Sequence, residues 1–140
     1  MRVAIYPGSF NPWHKGHEEI LNKSLLLFDK VIIGIGNNPE KNFNNPHNNN
    51  PIFRIPEHVR YNDQYVDVQT YDGLLPDFAK HVDAVAIIRG LRDGKDLDAE
   101  KTQQYWCEDL GLTIPIVYFI CDRTLVHISS SAIRAVEKFK

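Results

Sequence analysis

Val3-Ala4-Ile5-Tyr6-Pro7-Gly8-Ser9-Phe10-Asn11-Pro12-Trp13-His14-Lys15-Gly16-His17 is the stretch whose reading decides the fold. Val3–Tyr6 is a short apolar run stopped by Pro7-Gly8, the pattern of a strand meeting a turn. Lys15–Phe28 then sets Leu21, Leu25 and Phe28, with Ile20, Ser24 and Leu27, at three- and four-residue steps, which predicts one buried helical face. Val31–Ile35 follows as a continuous apolar, β-branched run, as a strand covered on both sides requires.

The same rhythm continues downstream. Alternation at Tyr65–Val68 predicts a third strand, Leu74–His81 a short helix, and Ala84–Ile88 a fourth strand. Asp96 to about Leu110 can form a helix, Ile114–Ile120 a fifth strand, and Ser129–Phe139 a closing helix with Ile133 and Val136 inward. Strand, helix and strand at this spacing specify the α/β class, with parallel strands joined by crossovers. The expectation is a single Rossmann-like domain over residues 1–140, with a five-stranded parallel sheet and helices on both faces. Positions 37–60 interrupt the rhythm with an Asn- and Pro-rich loop, since both residues disfavour helix and strand. Long structureless loops in compact domains are either functional lids or disordered, and the sequence leaves both open.

Composition narrows the function. With 140 residues and 43% hydrophobic side chains the chain fits one ordinary globular core. Net charge is −2, so no general field exists to hold a polyanion, and a nucleic-acid partner is not expected. No apolar run is long enough to span a bilayer, and Met1-Arg2 leads straight into a strand-like segment, which predicts a cytoplasmic protein with no membrane partner. Cys107 and Cys121 match no metal spacing and read as reduced thiols.

In an open parallel sheet, ligands bind beyond the carboxyl ends of the strands, and the chemistry-bearing residues here cluster at those ends. His14-Lys15-Gly16-His17 places two imidazoles three residues apart around a first helical turn, where free N–H groups and the positive dipole end suit a phosphate. Read more plainly, both histidines only cap and pack. No carboxylate or thiol completes a metal site with them. Trp13 reads better as packing than as a stacking platform.

Ile88-Arg89-Gly90-Leu91-Arg92, placed directly after the fourth strand, brings two guanidinium forks to one turn, each able to bind two phosphate oxygens. Ile128-Ser129-Ser130-Ser131 offers more hydroxyls than one helix cap requires. Lys41 alone reads as a solvated charge at the mouth of the loop. Glu100 either holds a ribose hydroxyl or faces water.

Together, Tyr6–Pro12, His14–His17, Asn38–Lys41, Leu74–Ala79, Ile88–Arg92 and Ile128–Ser131 resemble the HxGH nucleotidyltransferases, and among them the phosphopantetheine adenylyltransferase family. The resemblance implies transfer of AMP from ATP to the phosphate of 4′-phosphopantetheine, releasing pyrophosphate, with Mg²⁺ accompanying ATP. It casts His17, Lys41 and Arg92 as the catalytic set. Ser9, Phe10, His14, His17, Gly90, Leu91, Arg92, Glu100, Leu125, Val126, His127, Ile128, Ser129, Ser130 and Ser131 would bind ATP. Ser9, Lys41, Leu75 and Arg89 would bind the acceptor. A homo-oligomer is implied as well. The sequence departs from the family pattern at Asn42–Asn62, where Glu57-His58-Val59-Arg60 stands as the remnant of a helix, and at the short tail ending in Lys140.

Overall fold

A computed structural model describes residues 1–37, 51–62, 64–92, 94–121 and 130–137, with side chains for all of these except 94–96 and 130–132. Five strands are present among them: β1 (Val3–Gly8), β2 (Lys30–Gly36), β3 (Val66–Tyr71), β4 (Ala86–Leu91) and β5 (Ile116–Ile120). The helices are α1 (Lys15–Leu25), α2 (Glu57–Arg60), α3 (Leu75–His81), α4 (Gly94–Asp109) and α5 (Ser130–Glu137), and a 3₁₀ turn spans Pro51–Arg54. The strands form one sheet in the order β3-β2-β1-β4-β5, and every pair is parallel.

Successive side chains of a strand feed opposite layers. Ala4, Tyr6, Val31, Ile33, Ala86 and Ile88 pack against Ile20 and Leu21 of α1 and against Ile55 and Val59. Their neighbours Ile5, Ile32 and Ile87 pack on the other face, against Phe78 and Ala79 of α3 and Leu112. Each of the central strands β1, β2 and β4 is thereby buried on both sides, as its apolar run requires. The order reverses at β1: β2 and β3 lie to one side, β4 and β5 to the other. The crevice between the ends of β1 and β4 is the switch point of the sheet.

Several boundaries differ from the sequence-based expectations. Helix α1 stops at Leu25, because the N–H groups of Leu27 and Phe28 both turn back to the Ser24 carbonyl, at 3.0 and 2.9 Å. That turn rolls Phe28 into the core and leaves Leu27 59% exposed. The third strand runs over Val66–Tyr71 and leaves Tyr65 exposed, and the fifth starts at Ile116. In α5 Ile133 is half-buried, whereas Val136 faces outward.

The largest correction concerns β4. Arg89, Gly90 and Leu91 belong to the strand itself, paired in register with Tyr118, Phe119 and Ile120 of β5. A polar, glycine-broken segment reads as a turn, but the ladder to an edge strand carries it on.

Residues 51–60, counted with the loop, are ordered. Ile55, just before α2, and Val59, within it, are 0% and 4% exposed. Their burial in the α1 layer holds the 3₁₀ turn and α2 against the sheet, as Glu57-His58-Val59-Arg60 had suggested for a helix remnant. Positions 38–50 of the loop lie outside the described residues. No helix among the described residues is long and apolar enough to cross a membrane.

Candidate active site

The segment from Gly8 to His17 turns the end of β1 into the start of α1. Phe10 adopts φ 48°, in the left-handed region, and its ring folds back over Gly8. A Cβ on Gly8 would stand 2.9 Å from that ring, so the close approach needs glycine. The Phe10 ring also meets Tyr6 at 5.1 Å, Trp13 at 5.3 Å and His17 at 4.9 Å between centroids. Trp13 is a packing residue, and its indole N–H finds no acceptor among the described residues.

His14 and His17 do cap the helix, as the plainer reading held, and the capping fixes their chemistry. His14 Nδ1 accepts the N–H of Gly16 at 3.1 Å, and His17 Nδ1 accepts the N–H of His14 at 3.2 Å. A neutral imidazole whose Nδ1 accepts must carry its proton on Nε2. Both rings therefore keep Nε2–H as a donor. Burial, reinforced by the neighbouring His14, pushes the His17 pKa down to about 3. Burial and then the Arg92 charge lower that of His14. At neutral pH the pair is uncharged and donating.

A hollow of about 300 Å³ opens at the switch point, lined by Gly8, Ser9, Phe10, His14, His17, Arg89, Gly90 and Arg92 among others. Here the β1 and β4 ends meet, as the sequence motifs required. A second hollow, of about 460 Å³, is lined by Pro7, Gly8, Ser9, Gly36, Tyr71, Leu75, Arg89, Gln103, Trp106 and Cys107. Pro7, Gly8, Ser9 and Arg89 belong to both. The two hollows thus share a wall, with a hydroxyl residue and a guanidinium in it.

Arg89 faces α4, on the same side of β4 as Ile87. Its Nε and Nη2 donate to the two oxygens of Glu100 at 2.9 and 2.7 Å. Burial alone would disfavour the charge, but the hydrogen bonds and charge of Glu100 outweigh it and raise the Arg89 pKa. Glu100 therefore holds Arg89 rather than facing water, and it lines neither hollow. Leu91 lines neither as well.

Sequence reading missed Gln103, Trp106 and Cys107. They follow Glu100 on α4 at three- and four-residue steps, a stripe whose significance appears only once α4 is known to lie over β4. Burial raises the Cys107 pKa and keeps it a thiol, and neither cysteine is in a disulfide. Tyr71, stacked on Phe78 at 4.6 Å, was missed with them. Lys41 and Leu125, Val126, His127, Ile128 and Ser129 lie outside the described residues. Ser130 and Ser131 open α5, consistent with a helix start. Among the described residues no group of three or more His, Cys, Asp or Glu side chains could hold a metal ion.

Comparison with known proteins bears on this arrangement. A family model described as cytidylyltransferase-like matches residues 5–136. A phosphopantetheine adenylyltransferase from Cytophaga hutchinsonii is 40% identical over 144 aligned positions, covering 99% of this chain and 91% of that protein. Another from Mycoplasma capricolum subsp. capricolum is 36% identical and covers 100% of this chain and 99% of its own. Among solved structures, a lipopolysaccharide core biosynthesis protein from Thermoplasma volcanium has the same fold, with a TM-score of 0.58 at 19% identity, covering 87% of this chain and 98% of that one.

Proposed function

The chain belongs to the cytidylyltransferase-like family and, within it, to the phosphopantetheine adenylyltransferases, and from that premise we propose how its two hollows divide the reaction. The protein is an adenylyltransferase that moves AMP from ATP to the phosphate of 4′-phosphopantetheine, giving dephospho-coenzyme A and pyrophosphate. ATP occupies the hollow at the α1 N-terminus, and the pantetheine arm occupies the hollow lined by Tyr71, Leu75, Trp106 and Cys107. The observation that carries this reading is the wall of Pro7, Gly8, Ser9 and Arg89 common to both. The α-phosphorus of an adenylyl group passed between two ligands must sit where their sites meet.

The acceptor phosphate is already an anion at neutral pH, so its oxygen attacks the α-phosphorus without a general base. One phosphorus–oxygen bond forms, the bond to the β-phosphate bridge breaks, and pyrophosphate carries away the electron pair. The protein's work is to hold two polyanions in line and stabilise the charge that develops. His17 donates Nε2–H to an α-phosphate oxygen, and its neutrality means that it gives up no proton. His14, Gly90 and Arg92 hold the remaining ATP oxygens, together with Leu125 to Ser131. Ser9 touches both ligands, and Lys41 joins Arg89 on the acceptor phosphate.

Among the described residues the first hollow is lined by no carboxylate, so Mg²⁺ would come with ATP and be held by phosphate oxygens and water. The metal would neutralise part of the charge on the triphosphate. A cytoplasmic homo-oligomer completes the reading.

Pyrophosphate release with ATP and a panel of phosphorylated acceptors tests it. Phosphopantetheine is expected to be the preferred acceptor over nicotinamide mononucleotide. Tight ATP binding with no pyrophosphate from any acceptor would count against catalysis.

A further inference from the structure

We propose that Arg54 is a positioning residue for the nucleotide, holding the Ser9–Phe10 peptide in the orientation that points the Phe10 N–H at the first hollow. The inference rests on the reading of that hollow as the ATP site. Phe10 is strained: it keeps φ 48°, a left-handed conformation that a bulky residue rarely adopts. Rotating the Ser9–Phe10 peptide as a crankshaft, Ser9 ψ against Phe10 φ, would carry Phe10 to negative φ and leave both Cα atoms in place. The ring cluster around Phe10 therefore holds the side chain without holding this peptide.

Arg54 supplies the missing hold. Its Nη1 donates to the Ser9 carbonyl at 3.4 Å, a charge-assisted bond that the rotated peptide would break. The C=O and N–H of one trans peptide point in opposite directions, so a carbonyl drawn toward Arg54 sends the Phe10 N–H the other way. Ser9 and Phe10 line the first hollow, and Arg54 does not. A rotated peptide would instead turn the negative end of the carbonyl toward the phosphates. The segment that carries Arg54 is anchored for this task. Ile55, the next residue, and Val59 are buried in the same layer as Phe10. His58, in α2, meets Glu18, the residue after His17. One segment thus grips the loop at both ends, at Ser9 and just beyond His17.

The test measures kcat, KM for each substrate and melting temperature in wild type, Arg54→Ala, Arg54→Met and Arg54→Lys, and follows the Phe10 amide by NMR without ligand. Arg54→Ala is expected to raise KM for ATP roughly tenfold, the low end of what such backbone strain costs, because only the competent fraction binds. KM for phosphopantetheine should change less than about twofold. Arg54→Met keeps the apolar stem and removes the donor, so it should match Arg54→Ala and serves should that variant fail to fold. Arg54→Lys, which keeps a charged donor, should recover most of the loss. The Phe10 amide signal should move in Arg54→Ala and Arg54→Met and stay near its wild-type place in Arg54→Lys. The ratio of variant to wild-type KM should persist at about 0.5 M salt, where an exposed charge acting directly on the ligand is largely screened.

The idea is overturned if KM for ATP in Arg54→Ala and Arg54→Met stays within about twofold of wild type, whatever the melting temperature does. It is overturned as well if the loss disappears with salt, or if the Phe10 amide does not respond. A wild type in which no amide from Gly8 to His17 responds to ATP would instead sink the reading of the first hollow, so the two failures are distinguishable.

Discussion

The imidazoles of His14 and His17 lie stacked, with centroids 3.7 Å apart and planes 22° from parallel. Protonating either ring would place a cation against its neighbour, in a hollow that also holds Arg92. The geometry that aligns the two Nε2–H donors therefore also keeps both rings uncharged.

Acid should destabilise the protein through this pair. The His17 pKa of about 3 lies below the ordinary 6.5, so between those values the unfolded chain binds the extra proton and stability rises with pH. Scanning calorimetry from pH 7 down to 4.5 should show a falling melting temperature, with His17 contributing at most about 1.4 kcal/mol per pH unit. His17→Asn should flatten that slope. Equal slopes in the two proteins would remove His17 from the account.

Turnover should depend on the same Nε2–H. His17→Ala is expected to lower kcat about a hundredfold or more, the usual cost of one preorganised donor. KM for ATP should move much less, and the lost cap should cost about 1 kcal/mol of stability. Near-normal kcat would reduce His17 to a cap.

Gly8→Ala should damage fold and chemistry together. The new methyl would meet three atoms of the Phe10 ring at 2.9–3.1 Å, and Phe10 is 3% exposed, so the ring cannot swing into water. Overpacking of this kind costs about 1–3 kcal/mol, and the displaced ring pushes on His17. Chemical denaturation and kcat measured on one preparation check both.

Ile55→Ala should cost about 2–5 kcal/mol, as for other fully buried large-to-small changes. Ile55 is 0% exposed and pins the 3₁₀ turn whose Arg54 donates to the Ser9 carbonyl at 3.4 Å. A loss under about 0.5 kcal/mol in urea unfolding would mean that the segment is not anchored.

Trp106→Ala should weaken the acceptor alone. The indole is 64% exposed at the second hollow, and an aromatic contact there is worth about 0.5–1.5 kcal/mol. KM for phosphopantetheine is expected to rise several-fold, with KM for ATP unchanged.

Much of this was legible in the chain itself. Val31–Ile35 announced a doubly covered strand, because one continuous apolar run depends only on neighbours in sequence. Ser9, His14, His17, Arg89, Gly90 and Arg92 do converge at one crevice.

What stayed hidden depends on packing between distant segments. Arg89 and Glu100 are eleven residues apart, and nothing local says that α4 folds back over β4. Leu27 and Phe28 satisfied a helical period that a turn after Leu25 then broke. Trp106 and Cys107 sat in a helix of mixed polarity, where no stripe stood out as a wall.

Tyr6, Phe10, Trp13 and His17 form one cluster of rings, so the group proposed to touch the α-phosphate is lodged in the same interior that keeps the protein folded. Drift at rim positions such as Trp106 leaves that interior alone. Change at Phe10 does not, because a slightly different ring there re-aims a reacting group as surely as it loosens the domain. A lineage carrying this chain is freer to alter what it recognises than how it catalyses.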